Sequence, residues 1–177
     1  MKPLSPVAEK FVLHWGEMGT RWGVNRTVAQ IHALLHLSPE PLCAEAISEQ
    51  LAVARSNVST SLRELQGWGI VRTVHVLGDR RDHFESTRDV WELFRIIVEQ
   101  RKKREVDPTL TVLRECVIEA DGGRSADGYE AKRLAEMLDF FESLDAWYGQ
   151  LRKLPVKGVV RFLKAGKRLP KLFGLHG

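Results

Sequence analysis

The stretch ARSNVSTSLRELQGWGIV, residues 54–71, decides how the whole chain is read. Val58, Leu62 and Leu65 recur at i, i+4 and i+7, which makes one apolar stripe along a helix. Gly67 and Gly69 bracket the place where that helix has to stop, because a left-handed residue closes a helix end at least cost when it is glycine. The face opposite the stripe holds Arg55, Ser56, Asn57, Ser59, Thr60 and Arg63, with no acid before Glu64. Short polar groups allow close approach and two guanidiniums supply reach. In a DNA major groove Arg can hold guanine in bidentate fashion, Asn can hold adenine, and Ser or Thr can bond bases or phosphates. A merely solvated helix face has a similar composition, so the neighbouring segments have to decide.

Upstream, residues 44–51 read as a short helix with Ile47 and Leu51 on one face and Cys43, a poor cap, at its N-cap position. Only Ala52-Val53-Ala54 separates it from the next helix, and two short amphipathic helices joined so tightly form a helix-turn-helix. Downstream the period falls from that of a helix to two. Val71, Thr73, His75 and Leu77 alternate with Arg72, Val74 and Val76; Gly78-Asp79 is a turn signal; His83 to Ser86 returns as a paired strand. Helix, helix, hairpin is the order of a winged helix-turn-helix. Arg80 and Arg81 fall at the wing tip, where cations meet the neighbouring minor groove or its phosphates, and Asp79 is placed to brace one of them.

The wing segment VLGDRRDHFE, residues 76–85, also gathers Asp79, Asp82, His83 and Glu85, side chains that bind metals or move protons. A metal needs three or four ligands converging on a point, whereas strand alternation puts His83 and Glu85 on one face and Asp82 and Phe84 on the other. The expectation is no metal, no cofactor and no catalytic pair, so the chain is not read as an enzyme.

Working further outward, Ser5-Pro6 starts a first helix in which Val7, Phe11, Trp15, Met18 and Trp22 recur up to Gly23. Asn25 caps a second, Arg26 to about Leu37, burying Val28, Ile31 and Leu35 and stopped by Ser38-Pro39-Glu40-Pro41. Beyond the hairpin, a long helix from Asp89 to about Arg104 sets Val90, Phe94 and Ile97 on one side. Asp107-Pro108 caps another through Ala120, Asp121-Gly122-Gly123 breaks it, and Ser125 opens a third through Leu154. That last helix carries a seam of Phe140, Leu144, Trp147 and Leu151, with Met137, Phe141 and Tyr148 beside it. The expected architecture is mainly α: an N-terminal dimerisation helix (1–24), a winged helix-turn-helix DNA-binding domain with a small β-hairpin wing (25–88), linker and dimerisation helices (89–154), and a basic amphipathic tail (155–177).

Composition sets limits. With 44% hydrophobic and 28% charged residues among 177, the chain reads as an ordinary soluble globular protein of one or two small domains. It shows neither a membrane span nor a signal peptide, so a cytoplasmic setting is expected. Cys43 and Cys116 lie far apart and form neither a zinc pattern nor a disulfide framework. The net charge of +4 is a property of the tail alone. Residues 152–177 hold eight of the 27 Lys and Arg and none of the 23 Asp and Glu, so residues 1–151 carry 19 bases against 23 acids. Nucleic-acid binding therefore has to be argued locally and not from global basicity.

Several segments together resemble one family. The opening HWGEMGTRWGVNRTVAQIHALLHL, the ARSNVSTSLRELQGWGIV helix, the LGDRRDHFE wing and the helices of WELFRIIVEQRKKREVDPTLTVLREC are similar to the GbsR-type branch of the MarR transcription regulators, from about Ser5 to Leu154. The resemblance implies a dimeric DNA-binding regulator, with Asp79 and Arg81 matching the Asp-x-Arg motif of the wing and favouring Arg81 as the residue that enters the groove. Where the family often has Ser or Thr at the N-caps, this chain has Cys43 and Ala54.

Helix-turn-helix readers bind as twofold dimers because one helix spans only a few base pairs, so a homodimer on double-stranded DNA is expected, built from the first helix and the last two. A repressor that occludes a promoter is the function expected; a winged-helix module that docks on protein instead of DNA is the rival reading. Some relatives sense choline or other osmolytes, and a quaternary ammonium needs an aromatic cage, for which Trp15, Trp22, Trp91, Phe94, Trp147 and Tyr148 are the candidates. Aromatic residues at helical spacing also serve as core. Cys43, at a helix start, is a candidate redox thiol or else a small buried filler. In the tail, Val156, Val159, Val160 and Leu163 form a helical stripe amid Lys157, Arg161, Lys164, Lys167 and Arg168. Such a basic segment suits the acidic stretch 105–145, DNA phosphates or a membrane surface, or else stays unstructured.

Overall fold

The computed structural model describes residues 3–124, 128–153, 155 and 158. The chain divides into two compact units, residues 1–97 and 98–177. In the first, α1 (Pro6–Arg21) begins at Ser5, whose hydroxyl accepts the Ala8 N–H at 3.2 Å, and α2 (Arg26–Leu37) begins at Asn25, whose side chain accepts the Thr27 N–H at 2.8 Å. Both caps satisfy donors that a helix start leaves orphaned. The α1 face turned to α2 runs through Val12, Gly16 and Gly19, one step round from the expected Val7 to Trp22 stripe, whose two end residues are exposed. The helices approach so closely that a Cβ on Gly19 would fall 2.5 Å from the Ala29 Cβ.

A short strand that periodicity did not reveal, β1 (Leu42–Cys43), leads into α3 (Ala44–Leu51). Ala52 turns the chain in the left-handed region, φ 51° and ψ 42°, and α4 (Arg55–Gly67) follows. Neither Cys43 nor Ala54 makes a side-chain cap bond, so the packing of Ile47, Val58, Leu62 and Leu65 holds these helices in place. These four side chains join Val28, Ile31, Leu34 and Leu35 of α2 in a single core. Gly69, at φ 76°, ends α4 as expected, with Ile70 N–H reaching back to the Leu65 carbonyl at 3.0 Å.

The sheet has the order β1-β3-β2, with β2 (Val71–Val74) and β3 (His83–Ser86) antiparallel in the register Val71 to Ser86 and Val74 to His83. The strand expected to reach Leu77 stops at Val74. What alternates beyond it is the flank of the wing loop. Residues Leu42 and Cys43 close the other edge of β3. The result is a winged helix-turn-helix in a mainly helical chain.

Asp89 caps α5 (Val90–Arg101), its carboxylate accepting the Trp91 N–H at 2.8 Å. The side of α5 that joins the core is Leu93, Ile96 and Ile97, whereas Val90 and Phe94 are exposed, which corrects the expected stripe. Asp107-Pro108 does not start a helix out of a loop. A π-helical turn, residues 102–106, leads directly into α6 (Asp107–Glu119), and Asp107 is taken by Lys102. Nor do Gly122 and Gly123 break the chain there, because residues 120–124 form a second π-helical turn. Helix α7 (Gly128–Lys153) packs against α6. The expected helix start at Ser125, its end at Leu154, and the tail stripe from Val156 to Leu163 lie outside the described residues.

Two heptad-spaced seams run along α7. Leu134, Leu138, Phe141, Asp145 and Tyr148 are half-buried, while Met137, Phe140, Leu144 and Trp147 are exposed. Polar pairs fasten the inner side: Lys102 bridges Asp107 and Asp145, Arg114 meets Glu142 at 2.9 Å, and Tyr148 donates its hydroxyl proton to Glu99 at 2.8 Å. Burial and that bond push the Tyr148 phenol up to about 12.

Candidate nucleic-acid interface

Helix α4 presents what its sequence promised. Val58, Ser61, Leu62 and Leu65 are buried, and Arg55, Ser56, Asn57, Thr60 and Arg63 are exposed, with Ser59 half-buried at the margin. The Arg63 guanidinium lies back along its own helix, 3.4 Å from the Ser59 carbonyl and 3.5 Å from the Thr60 hydroxyl. The Arg55 guanidinium pairs with Glu45 in the first turn of α3. At the far end of the helix, Gln66 donates to the Thr73 hydroxyl at 2.9 Å and so ties α4 to the first wing strand.

The wing is braced along its length. Arg72 and Glu85, opposite each other in register, form a cross-strand ion pair at 2.6 Å. Beyond it, Asp79 accepts the Arg81 backbone N–H at 3.0 Å and the Arg81 Nε at 2.9 and 3.1 Å, and its own N–H donates to the Val76 carbonyl at 3.1 Å. The Arg81 side chain keeps 55% of its exposure, so the fork is held yet still faces solvent. The hydrogen bonds from Arg81 hold the Asp79 carboxyl well below the usual range, and Asp79 raises the guanidinium in turn. Both charges are therefore fixed over any pH at which a duplex binds.

Asp79 and His83 lie close together, with His83 Nε2 3.6 Å from the carboxylate while Nδ1 meets the Arg81 carbonyl oxygen at 3.0 Å. His83 is buried against the sheet and supports the turn. Asp82 is exposed. Among the described residues no group of three or more His, Cys, Asp and Glu converges to hold a metal.

Of the aromatic candidates, Trp15, Trp22, Trp91 and Phe94 lie in the first unit and Trp147 and Tyr148 in the second. Trp15 is bound into the α1–α2 contact, stacked on Phe11 at 5.4 Å and donating its indole N–H to His32 Nδ1 at 3.2 Å. Tyr148 is engaged with Glu99, and Trp22, Trp91, Phe94 and Trp147 are exposed. His32 itself was not singled out in the sequence. Burial, then neighbouring His36, lowers its pKa to about 4. Cys43 is a buried free thiol, opposite His83 in register. No helix among the described residues is long and apolar enough to cross a membrane.

No protein-family model matches the chain. In sequence it is 21% identical over 136 residues, 75% of each chain, to the HTH-type transcriptional repressor GbsR of Bacillus subtilis (strain 168). In structure it is similar to a crystallised transcriptional regulator, with a TM-score of 0.63 and 22% identity over 82% of this chain and 95% of that one. A mutant MepR of S. aureus bound to an oligodeoxyribonucleotide aligns over 78% of this chain and 92% of its own at 13% identity, but its TM-score of 0.39 leaves it too different to bear on the reading. The chain thus has the winged-helix fold together with a sequence similar to a GbsR-type repressor over three quarters of its length.

Proposed function

We propose that the chain is a transcriptional repressor that binds operator DNA as a homodimer, with the exposed face of α4 in the major groove and the wing in the adjacent minor groove. The observation that carries this reading is the coincidence, on one domain, of an exposed Arg55, Ser56, Asn57, Thr60, Arg63 face with a wing arginine held by Asp79. A helix that inserts its N-terminal side chains while a hairpin reaches the next groove is the docking mode this geometry suits. The repressor role of the B. subtilis relative supports the same reading. The exposed Met137, Phe140, Leu144 and Trp147 seam of α7 supports a dimer, since a heptad row of large apolar side chains is the surface a second helix covers.

Mobility-shift titrations on the DNA upstream of the protein's own gene test the proposal with wild type, Arg81→Ala and Asn57→Ala. Binding is expected to weaken with salt, and both variants are expected to lose affinity, Asn57→Ala mainly on the preferred sequence. A protein that binds no duplex in a salt-dependent way, or whose two variants bind as tightly as wild type, sinks the DNA reading and leaves the α4 face as a protein-docking surface.

A further inference from the structure

The face of α4 has no acid before Glu64, yet the recognition surface holds one from another helix. Glu45, in the first turn of α3, pairs its carboxylate with the Arg55 guanidinium at the start of α4. The three-residue turn between the helices brings this acid to the first residue of the groove-facing helix. Both partners remain open to solvent, with side chains 65% and 39% exposed for Arg55 and Glu45. Glu45 is also within the field of the wing arginine, Arg81. The hydrogen bond to its own backbone N–H, followed by Cys43 and the two arginines, holds the Glu45 carboxyl below its ordinary range, so it is ionised whenever DNA is bound. An ionised carboxylate here cancels the Arg55 charge at a surface where attraction to phosphate is wanted, and Glu45 is not one of the core side chains.

We propose that Glu45 is a specificity-determining residue of the DNA interface, one that weakens binding to the backbone of any duplex more than binding to the preferred base sequence. The inference rests on the DNA reading above. An arginine has five N–H donors in a rigid fork, and the pair with Glu45 occupies the Nη1 side. The remaining donors are left for a base edge such as guanine O6 and N7, and the fork arrives already oriented. Backbone binding depends instead on net positive charge beside the phosphates, which Glu45 neutralises at Arg55. Discrimination by a group that penalises the wrong partner is a general route to specificity.

The test uses the full chain as wild type, Glu45→Gln, Glu45→Asp, Arg55→Ala and the Glu45→Gln/Arg55→Ala double variant. Two probes are used: a random-sequence duplex of about 30 base pairs, enough for two half-sites, and the duplex that wild type enriches from a randomised library. Glu45→Gln is expected to bind the random duplex about five- to tenfold tighter at moderate salt, with a salt slope steeper by about 0.9 for each additional phosphate neutralised. On the enriched duplex its affinity rises less than about twofold, so the specificity ratio falls. Glu45→Asp keeps the wild-type ratio. In the Arg55→Ala background, Glu45→Gln changes random-duplex binding by less than about twofold. Equal tightening on both duplexes, or tightening that persists without Arg55, overturns the proposal. A loss on both duplexes with a lower melting temperature also overturns it, by showing a brace of the fold. A wild type that enriches no duplex and shows no salt-dependent binding fails the DNA reading itself, an outcome distinct from each of these.

Discussion

Arg81 folds back on Asp79, two residues before it, with Nε 2.9 and 3.1 Å from the two carboxylate oxygens and the Arg81 backbone N–H on the same group at 3.0 Å. One carboxylate therefore shapes the wing turn and sets the direction of its cation. A guanidinium oriented in advance gives up less freedom when it enters a groove than one on a loose stem.

Asp79→Ala is expected to weaken operator binding on the order of tenfold even though it removes a negative charge from the loop proposed to meet DNA, and Arg81→Ala to weaken it at least as much. The two changes combined are expected to cost little more than Arg81→Ala alone, because they act through one contact. Anisotropy titrations on a labelled operator duplex measure this. Tighter binding by Asp79→Ala at low salt would show that charge outweighs orientation here.

Ala52 sits at φ 51° in the turn between α3 and α4, a region that costs an L-residue roughly 1–2 kcal/mol. Ala52→Gly relieves that strain and loses part of the benefit to the freer unfolded chain. Net stabilisation of about 0.5–1 kcal/mol is expected, read as a higher urea midpoint at unchanged slope. Ala52→Val moves the midpoint the other way, because a β-branched side chain resists the left-handed region.

His32 accepts the Trp15 indole N–H on Nδ1, and its pKa is depressed from 6.5 to about 4 by burial first and by His36 second. The folded state thus binds a proton less readily than the unfolded chain. The stability this gives is complete above about pH 6.5 and is lost as pH falls through 4. From pH 7.5 to 5 the loss is on the order of 2 kcal/mol, with a full difference of roughly 3 kcal/mol. His32→Gln retains an acceptor for Trp15 without the titration, so urea unfolding at the two pH values is expected to show a smaller drop for the variant by about that amount. Equal drops would place the acid sensitivity elsewhere.

The exposed α7 seam yields a simple prediction for assembly. Phe140→Glu or Trp147→Glu places a charge in the surface proposed for the second subunit, whose docking there then costs several kcal/mol for an unpaired ion. Light scattering after sizing is expected to show a dimer for wild type at micromolar concentration and monomers for the variants, with helical content retained. A wild-type monomer, or dimeric variants, would move the interface away from this face.

The elements that could be read in advance are those whose signal is local. Ser5 and Asn25 cap their helices, Gly69 closes α4, and the Val58, Leu62, Leu65 stripe faces the core, because capping, helix-end geometry and helical periodicity act within a few residues. The polar face of α4 followed from the same periodicity. In contrast, β1 is two residues long and exists because β3 offers it an edge, so no local pattern announces it. The π-helical turn that runs straight into Asp107-Pro108, and the one that passes through Gly122, went against the residues' own preferences for caps and breaks.

The order helix, helix, hairpin and the side chains facing outward from it were legible from the residues alone, since those depend on spacing along the chain. Packing in space settled the pairings that lie farther apart along the chain, Arg55 with Glu45 from the preceding helix and Arg72 with Glu85 across the strands, and it gave the Asp79 brace expected for a wing arginine to Arg81. It likewise joined Trp15 to His32 across 17 residues. Charge pairing and desolvation depend on distances of a few ångströms in space, and separation along the chain does not encode them until the core has set the helices in place.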